Sequence, residues 1–272
     1  MTWSDIAYKD VNDAGRSKTI WLLFGLLLVL SVGYAYLHRY VGEEAFSPFI
    51  TGLSRIVGVG LPLLAILLGY KSIIHERSSG SLLLTLSLPH DRRDLAVGTF
   101  VGRSLVLLVP TLVALVVAGA AGAAFYGTDG LATYPWFLFA TALYGLSFVG
   151  IAVGLSMSTT VDRWVTFGAL GGYLLLVTFW EAFHSVTLLL LHRFDFTVLT
   201  DLPDWALLFR LVEPWQAYNR LLRFGVDTSL ASRYVGDGVP VYVDWWMGIV
   251  LLVAWTCVPL ALGFYRFSRS DL

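Results

Sequence analysis

The sequence predicts an all-α polytopic membrane protein with six transmembrane helices. A helix is expected before the first span, another in a cytoplasmic loop, and short helices before the last span. Of the 272 residues, 57% are hydrophobic and only 14% are charged, whereas a soluble domain has about 25% charged residues. Six apolar segments also approach or exceed the length needed to cross a bilayer core, which takes about 20 helical residues.

The six spans follow from windowed hydropathy, and together they form one transmembrane domain over residues 1–272. Several exceed the minimum length, so we expect them to tilt or to emerge from the bilayer. The spans cover approximately residues 19–37, 50–73, 96–124, 134–157, 164–191 and 244–266.

Basic residues predict the orientation, because short cytoplasmic loops are enriched in Lys and Arg. Ten of them lie on the side that holds both termini, whereas the short loops 38–49 and 125–133 contain only Arg39. We therefore expect both termini in the cytoplasm and the protein in the plasma membrane of a prokaryote. The ten residues are Lys9, Arg16, Lys18, Lys71, Arg77, Arg92, Arg93, Arg163, Arg266 and Arg269.

The N-terminal segment 1–17 has apolar residues at helical spacing with charged residues between them. This pattern predicts a helix that lies in the cytoplasmic interface before the first span. A frayed terminus is the alternative.

The segment 192–243 is predicted to be extracellular. Within it, residues 203–224 mix large apolar side chains with three Arg. We expect two short helices, broken at Pro214, that lie on or dip into the outer leaflet. A plain loop would expose too many apolar residues to water.

Three ionisable residues in the spans are candidates for function, because such groups are costly inside a membrane. Glu181 follows Arg163 by about 18 residues, or roughly 27 Å of helix, which places it towards the outer leaflet. His184 lies one turn further on, and Arg55 is predicted at a matching depth. We expect Glu181 to pair with Arg55 or His184 at an outer gate. An ion pair that only joins two spans is equally compatible with the pattern.

Glycines spaced four apart predict close helix contacts. They occur at Gly98 and Gly102, at Gly150 and Gly154, and at Gly168 and Gly172. We expect packing within the chain, although a dimer seam along the fifth span remains open.

Several classes of function lack support. The single cysteine, Cys257, excludes an intrachain disulfide, and a net charge of −1 gives nucleic acid no electrostatic attraction. No phosphate-binding G-x-x-x-x-G-K-[ST] and no H-E-x-x-H occurs, and the histidines are too scattered for a metal site. We therefore expect no cofactor and no catalytic set in this chain.

A polar, Leu-bearing segment interrupts the apolar spans at residues 74–95. It contains the run ERSSGSLLLTLSLPHDRRDLAVG, from Glu76 to Gly98. Ser and Gly residues near its start can cap and turn a helix, and Pro89 ends the apolar stretch. The pattern predicts a short helix on the membrane surface that docks on a partner.

This run resembles the first cytoplasmic loop of type-2 ABC transporter permeases. Ser81 stands where that family has Thr. The run from Glu213 to Tyr218 is similar to a family motif in the outer segment, with Glu213 in place of Asn. The matching loop residues are Glu76, Gly80, Leu83, Leu86, Ser87, Pro89, Arg92 and Gly98.

The resemblance implies a permease that acts as a homo- or heterodimer and exports a substrate. A separate cytoplasmic P-loop ATPase, which binds ATP and Mg²⁺, would dock on the loop through a coupling helix formed by the matching residues. The apolar outer helices favour an amphipathic or lipid-like substrate. Three alternatives stay open: a copper-processing permease of nitrous-oxide reductase maturation, an intramembrane enzyme that uses Glu181 and His184, and a membrane scaffold.

Overall fold

The computed structural model describes residues 3–42, 45–70, 72–73, 91–159, 161–200, 202–235 and 239–269. Within these residues, six helices are long and apolar enough to cross a membrane, which confirms the predicted class. The spans are Ile20–Tyr40, Phe46–Gly69, Arg92–Tyr126, Leu131–Ser158, Asp162–Leu191 and Trp245–Arg269.

The helices that build these spans and their connections are numbered in chain order. A π-helical segment, Leu174–Phe179, joins α6 to α7 inside the fifth span. The helices are α1 (Trp3–Arg16), α2 (Lys18–Val41), α3 (Phe46–Gly69), α4 (Arg92–Tyr126), α5 (Tyr134–Ser158), α6 (Asp162–Tyr173), α7 (Trp180–Leu191), α8 (Asp204–Leu211), α9 (Pro214–Gly225) and α10 (Trp245–Arg269).

The N-terminal helix α1 packs along the start of α4. Its buried face contains Ile6, Ala7 and Ala14, and Gly98 and Gly102 of α4 admit this face because they lack side chains. Asp10 of α1 lies 3.3 Å from the Arg103 guanidinium of α4. The segment is therefore helical and packs on the third span, whereas its place in the membrane interface stays a prediction.

At the centre of the bundle, α5 packs closely against α10. A side chain on Gly150 would lie 2.5 Å from the Thr256 carbonyl oxygen, and one on Gly154 would collide with the Pro259 carbonyl. Gly263 of α10 meets the backbone of Gly154 from the other side. The glycine spacing thus brings the two helix backbones together within the chain, as predicted for this pair.

The fifth span is packed more loosely. Gly168 has only Leu155 as a near neighbour, and no atom lies within 4 Å of the positions that side chains on Gly171 or Gly172 would occupy. Large apolar residues beside them, such as Phe167 and Leu170, are exposed. No described part of the chain covers this surface, and the dimer seam stays a prediction.

Helices α8 and α9 form the two predicted short helices, here called the hairpin (residues 204–225). Tyr218 stacks on Tyr144, at 4.9 Å between ring centroids, and the Trp255 indole N–H donates to the Val212 carbonyl at 2.6 Å. Tyr144 and Trp255 each lie ten residues inside their helices, or ~15 Å from the helix start. The hairpin therefore descends between α5 and α10.

We predict that Gly154→Ala destabilises the protein, because its methyl group would collide with the Pro259 backbone. Gly172→Ala is the matched control, since it adds a methyl group in open space and improves helix propensity by up to ~1 kcal/mol. Thermal unfolding of the purified protein in detergent should show a melting temperature several degrees lower for Gly154→Ala only. Equal melting temperatures would contradict the close α5–α10 contact.

Candidate functional site

Two regions contain the residues that the sequence selected. The hairpin end of the bundle holds Arg55, Glu181 and His184, and the opposite end, here called the loop end, holds α1 and residue 91. Most of the predicted docking set lies outside the described residues, so its predicted role is unchanged. These residues are Glu76, Gly80, Leu83, Leu86, Ser87 and Pro89.

Arg92 is the docking residue that the structure describes. It is the first residue of α4, and its guanidinium reaches the final turn of α10. One nitrogen, Nη1, donates to the carbonyls of Phe267 at 2.7 Å and Ser268 at 3.0 Å. These carbonyls lack partners within their own helix, and a cation is favourable at a helix C-terminus. In this structure Arg92 caps α10.

At the hairpin end, the Glu181 carboxylate pairs with Arg210 of α8. The distance between Oε1 and Nη2 is 2.6 Å. The two partners differ in environment, because the Arg210 side chain is 9% exposed and the Glu181 side chain 66% exposed. The pair joins the fifth span to the hairpin and presents a carboxylate on the outer surface of the chain.

The predicted pairing of Glu181 with Arg55 or His184 is wrong. The preceding π-helical segment inserts one residue, which turns Glu181 and His184 together by roughly 100° relative to a regular helix and changes the direction in which they face other spans. Glu181 and His184 keep their facing relative to each other, but each binds a different partner on α8. The depth and direction predicted for Glu181 from residue spacing hold for a regular α-helix. Residue spacing does not reveal the π segment. Glu181 therefore meets α8.

His184 and Arg55 occupy separate positions. The buried His184 ring donates from Nε2 to the Ala206 carbonyl of α8 at 3.0 Å, because a carbonyl can only accept. Arg55 instead lines a cavity of about 770 Å³ between α2, α3 and the segment after α9, together with Tyr34 and Asp227. The three predicted gate residues thus lie in two places, and only Glu181 and His184 contact the hairpin.

Glu213 adds a second acidic group to the Arg210 site. It lies at the turn of the hairpin, just before Pro214, and is 4% exposed. Burial raises the pKa of Glu213 to about 8; the nearby Arg210 opposes this shift, and Glu181 adds to it. Burial thus favours the protonated form of Glu213 near an Arg210 guanidinium that is already paired with Glu181.

A second ion pair anchors the hairpin to the last span. Arg220 of α9 contacts Asp244 at 2.5 Å and donates to the Val243 carbonyl at 3.0 Å. Asp244 in turn accepts from the Trp245 backbone N–H at 2.6 Å. The start of α10 is therefore held to α9.

The sequence analysis missed Arg210 and Glu213 as site residues. Both were assigned to an outer segment, in which charged residues normally face water. Two sequence features could have pointed to these residues. Arg210 lies on the amphipathic helix α8, and Glu213 directly precedes the Pro that starts the next helix. Only the descent of the hairpin brings these two groups beside Glu181.

We predict that Glu213→Gln flattens the pH dependence of stability. Between about pH 5 and 8 the unfolded carboxyl is ionised whereas the folded one holds its proton. Rising pH therefore costs the folded protein stability in this window. Melting temperatures should fall with pH for wild type, fall less for Glu213→Gln, and differ most at pH 8.

Asp129→Asn, in the exposed turn before α5, is the control for this measurement and should follow the wild-type profile. A Glu213→Gln profile parallel to wild type would show that the Glu213 carboxyl does not hold a proton in the folded protein.

Comparison with known proteins places this arrangement in a family. The family model described as ABC-2 family transporter protein matches residues 4–272. The probable ABC transporter permease protein NosY of Stutzerimonas stutzeri is 28% identical over 279 residues, which cover 99% of this chain and 98% of that protein. The protein of the same name from Pseudomonas aeruginosa is 27% identical over 286 residues, covering 100% and 99%.

The six spans and the full-length match agree with the resemblance found in the loop motif. The chain belongs to the ABC-2 family of transporter proteins and is a membrane permease subunit of an ABC transporter.

Proposed function

We propose that this chain is the permease of an ATP-driven exporter that works as a dimer. The observation that carries this proposal is the exposed Glu181 carboxylate on the fifth span, tied to buried Arg210. An ionisable group in a span faces a protein interior or a water-filled cavity, not lipid. A second permease copy beside the fifth span would enclose the two Glu181 side chains in a shared path.

The Glu181–Arg210 pair is proposed to be the outer gate of that path. It ties the fifth span to the hairpin, so passage of a substrate at this end would require the two elements to part. His184 supports the closed arrangement by holding the α8 backbone at Ala206. Arg55, on another surface, has no part in this gate.

An amphipathic or lipid-like substrate is favoured by the surface around Glu181. Phe179 and Phe183 are exposed on the same span, so the span as a whole presents large apolar side chains as well as one carboxylate. Such a surface can bind an apolar chain and a polar head together. Export is the direction that the loop resemblance implies, and a lipid-like molecule could enter the path laterally from the membrane.

Energy would come from a separate ATPase, which the permease family implies in general terms. We propose that it binds ATP and Mg²⁺ and docks on the 75–95 loop at the loop end. That end would be cytoplasmic, in the plasma membrane of a prokaryote, as the distribution of Lys and Arg predicts.

The copper-processing alternative stays open beside this proposal. For the copper-processing alternative, a metal-binding cluster would be direct support. Within the described ranges, no group of three or more His, Cys, Asp or Glu is placed to hold a metal ion.

The enzyme alternative needs Glu181 and His184 to act together on a substrate. Their contacts favour transport instead, because the Glu181 carboxylate binds Arg210 and the His184 Nε2–H binds the Ala206 carbonyl. An enzyme would show activity from this chain alone, without nucleotide.

We predict that Glu76→Lys abolishes co-purification of the ATPase subunit, because it reverses a charge in the proposed docking helix. Glu43→Lys, in the short loop predicted on the opposite side, makes the same charge change and should leave the complex intact. Affinity purification of the tagged permease from its native membrane measures the outcome. Full recovery of the ATPase with Glu76→Lys would refute docking through this residue.

We predict that Glu181→Gln raises the basal ATPase rate of the reconstituted complex by about threefold or more, since a weaker gate lets the conformational cycle run without substrate. Asp204→Asn removes a negative charge from the adjoining start of α8 and should leave the rate unchanged. Phosphate release from proteoliposomes is the measurement. An unaltered ATPase rate in Glu181→Gln would show that the ion pair only stabilises the structure and is not a gate.

A further inference from the structure

At the loop end, the last span, α10, is bound by Arg92, which directly follows the segment 74–91. At its other end, α10 is bound to the hairpin. Its C-terminal turn is held by Arg92, which donates to two of its carbonyls. The same guanidinium lies over the ring of Phe267, 5.6 Å from its centroid, and this ring is fully buried. A guanidinium that binds two carbonyls and covers a ring is fixed in direction as well as in place.

Between its ends, α10 is supported along α5. The contacts at Gly150, Gly154 and Gly263 bring backbone against backbone, with no flexible side chain between them. Close packing of this kind transmits a displacement, because little free volume is left to absorb it. The helix can therefore act as a rigid rod against the centre of the bundle.

At the hairpin end, α10 holds α9 and the turn of the hairpin. The Trp255 indole N–H binds the Val212 carbonyl at the turn, and Gly248 lies against the Ala217 carbonyl of α9. Asp244, just before α10, binds Arg220 of α9. The turn also contains Glu213, and Arg210 lies one turn of helix earlier, so a shift of α10 would act on the groups around Glu181.

We propose that α10 is a strut that carries movement from the ATPase-docking loop to the hairpin, and that Arg92 is the positioning residue that joins the loop to it. The hairpin packs chiefly against α10, α5 and the fifth span, so α10 offers a direct route from the loop end of the bundle to the hairpin end. This inference rests on the proposed docking of an ATPase on the 75–95 loop. It changes the role of Arg92 from a docking contact to a link inside the permease.

The test uses the permease in complex with its ATPase, reconstituted in lipid nanodiscs. Hydrogen–deuterium exchange of residues 204–225 is compared between the nucleotide-free complex and the complex trapped with ATP and vanadate. In wild type, we expect trapping to change the exchange of the hairpin. In Arg92→Ala, measured at an ATPase concentration that saturates the permease, that change should fall about fivefold or more, a coupling within the usual range.

Arg93→Ala is the matched control, because Arg93 is the neighbouring residue, carries the same charge and is exposed. It should keep the full response of the hairpin. Arg92→Lys retains a cation near the two carbonyls and should restore a large part of the response. Trp255→Phe keeps an aromatic ring but removes the bond to Val212, so it should reduce the response from the other end of α10.

Two results would overturn the strut. One is an undiminished hairpin response in both Arg92→Ala and Trp255→Phe; the other is loss of ATPase binding in Arg92→Ala, which would make Arg92 a docking residue. If Arg92→Ala does not fold, as judged by its melting temperature, Trp255→Phe decides alone. A wild-type permease that binds no ATPase refutes the proposed function itself, whereas a wild-type complex whose hairpin ignores trapping refutes only the strut.

Discussion

The burial of the Arg210 guanidinium is the interaction on which the hairpin end depends. A buried cation is tolerated only beside a countercharge and with its donors satisfied. Glu181 supplies the close carboxylate at 2.6 Å, and Glu213 places a second acid in the same neighbourhood. Glu181 belongs to the fifth span, Arg210 to α8 and Glu213 to the hairpin turn. Burial of the Arg210 guanidinium therefore brings these three elements together.

The spans of the bundle differ in how closely they are packed. Among the described spans the fourth is the most enclosed, with 67% of its apolar window buried, whereas the windows of the first and fifth spans are each 22% buried and that of the last span is 17% buried. The α5–α10 contact explains the first figure, since glycines bring those backbones together. The exposed fifth span is one surface on which a second copy or a substrate would gain contact area. The last span has close backbone contacts with α5 on one side and an open face on the other.

Polar contacts join α10 to both the loop end and the hairpin end of the bundle. Arg92 satisfies the carbonyls that the last turn of a helix leaves unpaired, and Asp244 and Trp255 bind the hairpin at the opposite end. In the hydrocarbon region every such group needs a partner within the protein. The same requirement that stabilises α10 therefore also ties it to both functional regions.

Hydropathy alone determined the six spans, because a bilayer demands long apolar helices whatever their neighbours. Amphipathic spacing determined α1, and Pro214 the break in the hairpin, because both act locally. The loop motif from Glu76 to Gly98 indicated the family. Only the tertiary structure decided the partners. The π-helical segment turned Glu181 away from the direction that a regular helix gives, and the descent of the hairpin brought Arg210 and Glu213 from far along the chain to meet it. Pairing in a bundle depends on helix rotation and depth, which residue spacing does not record.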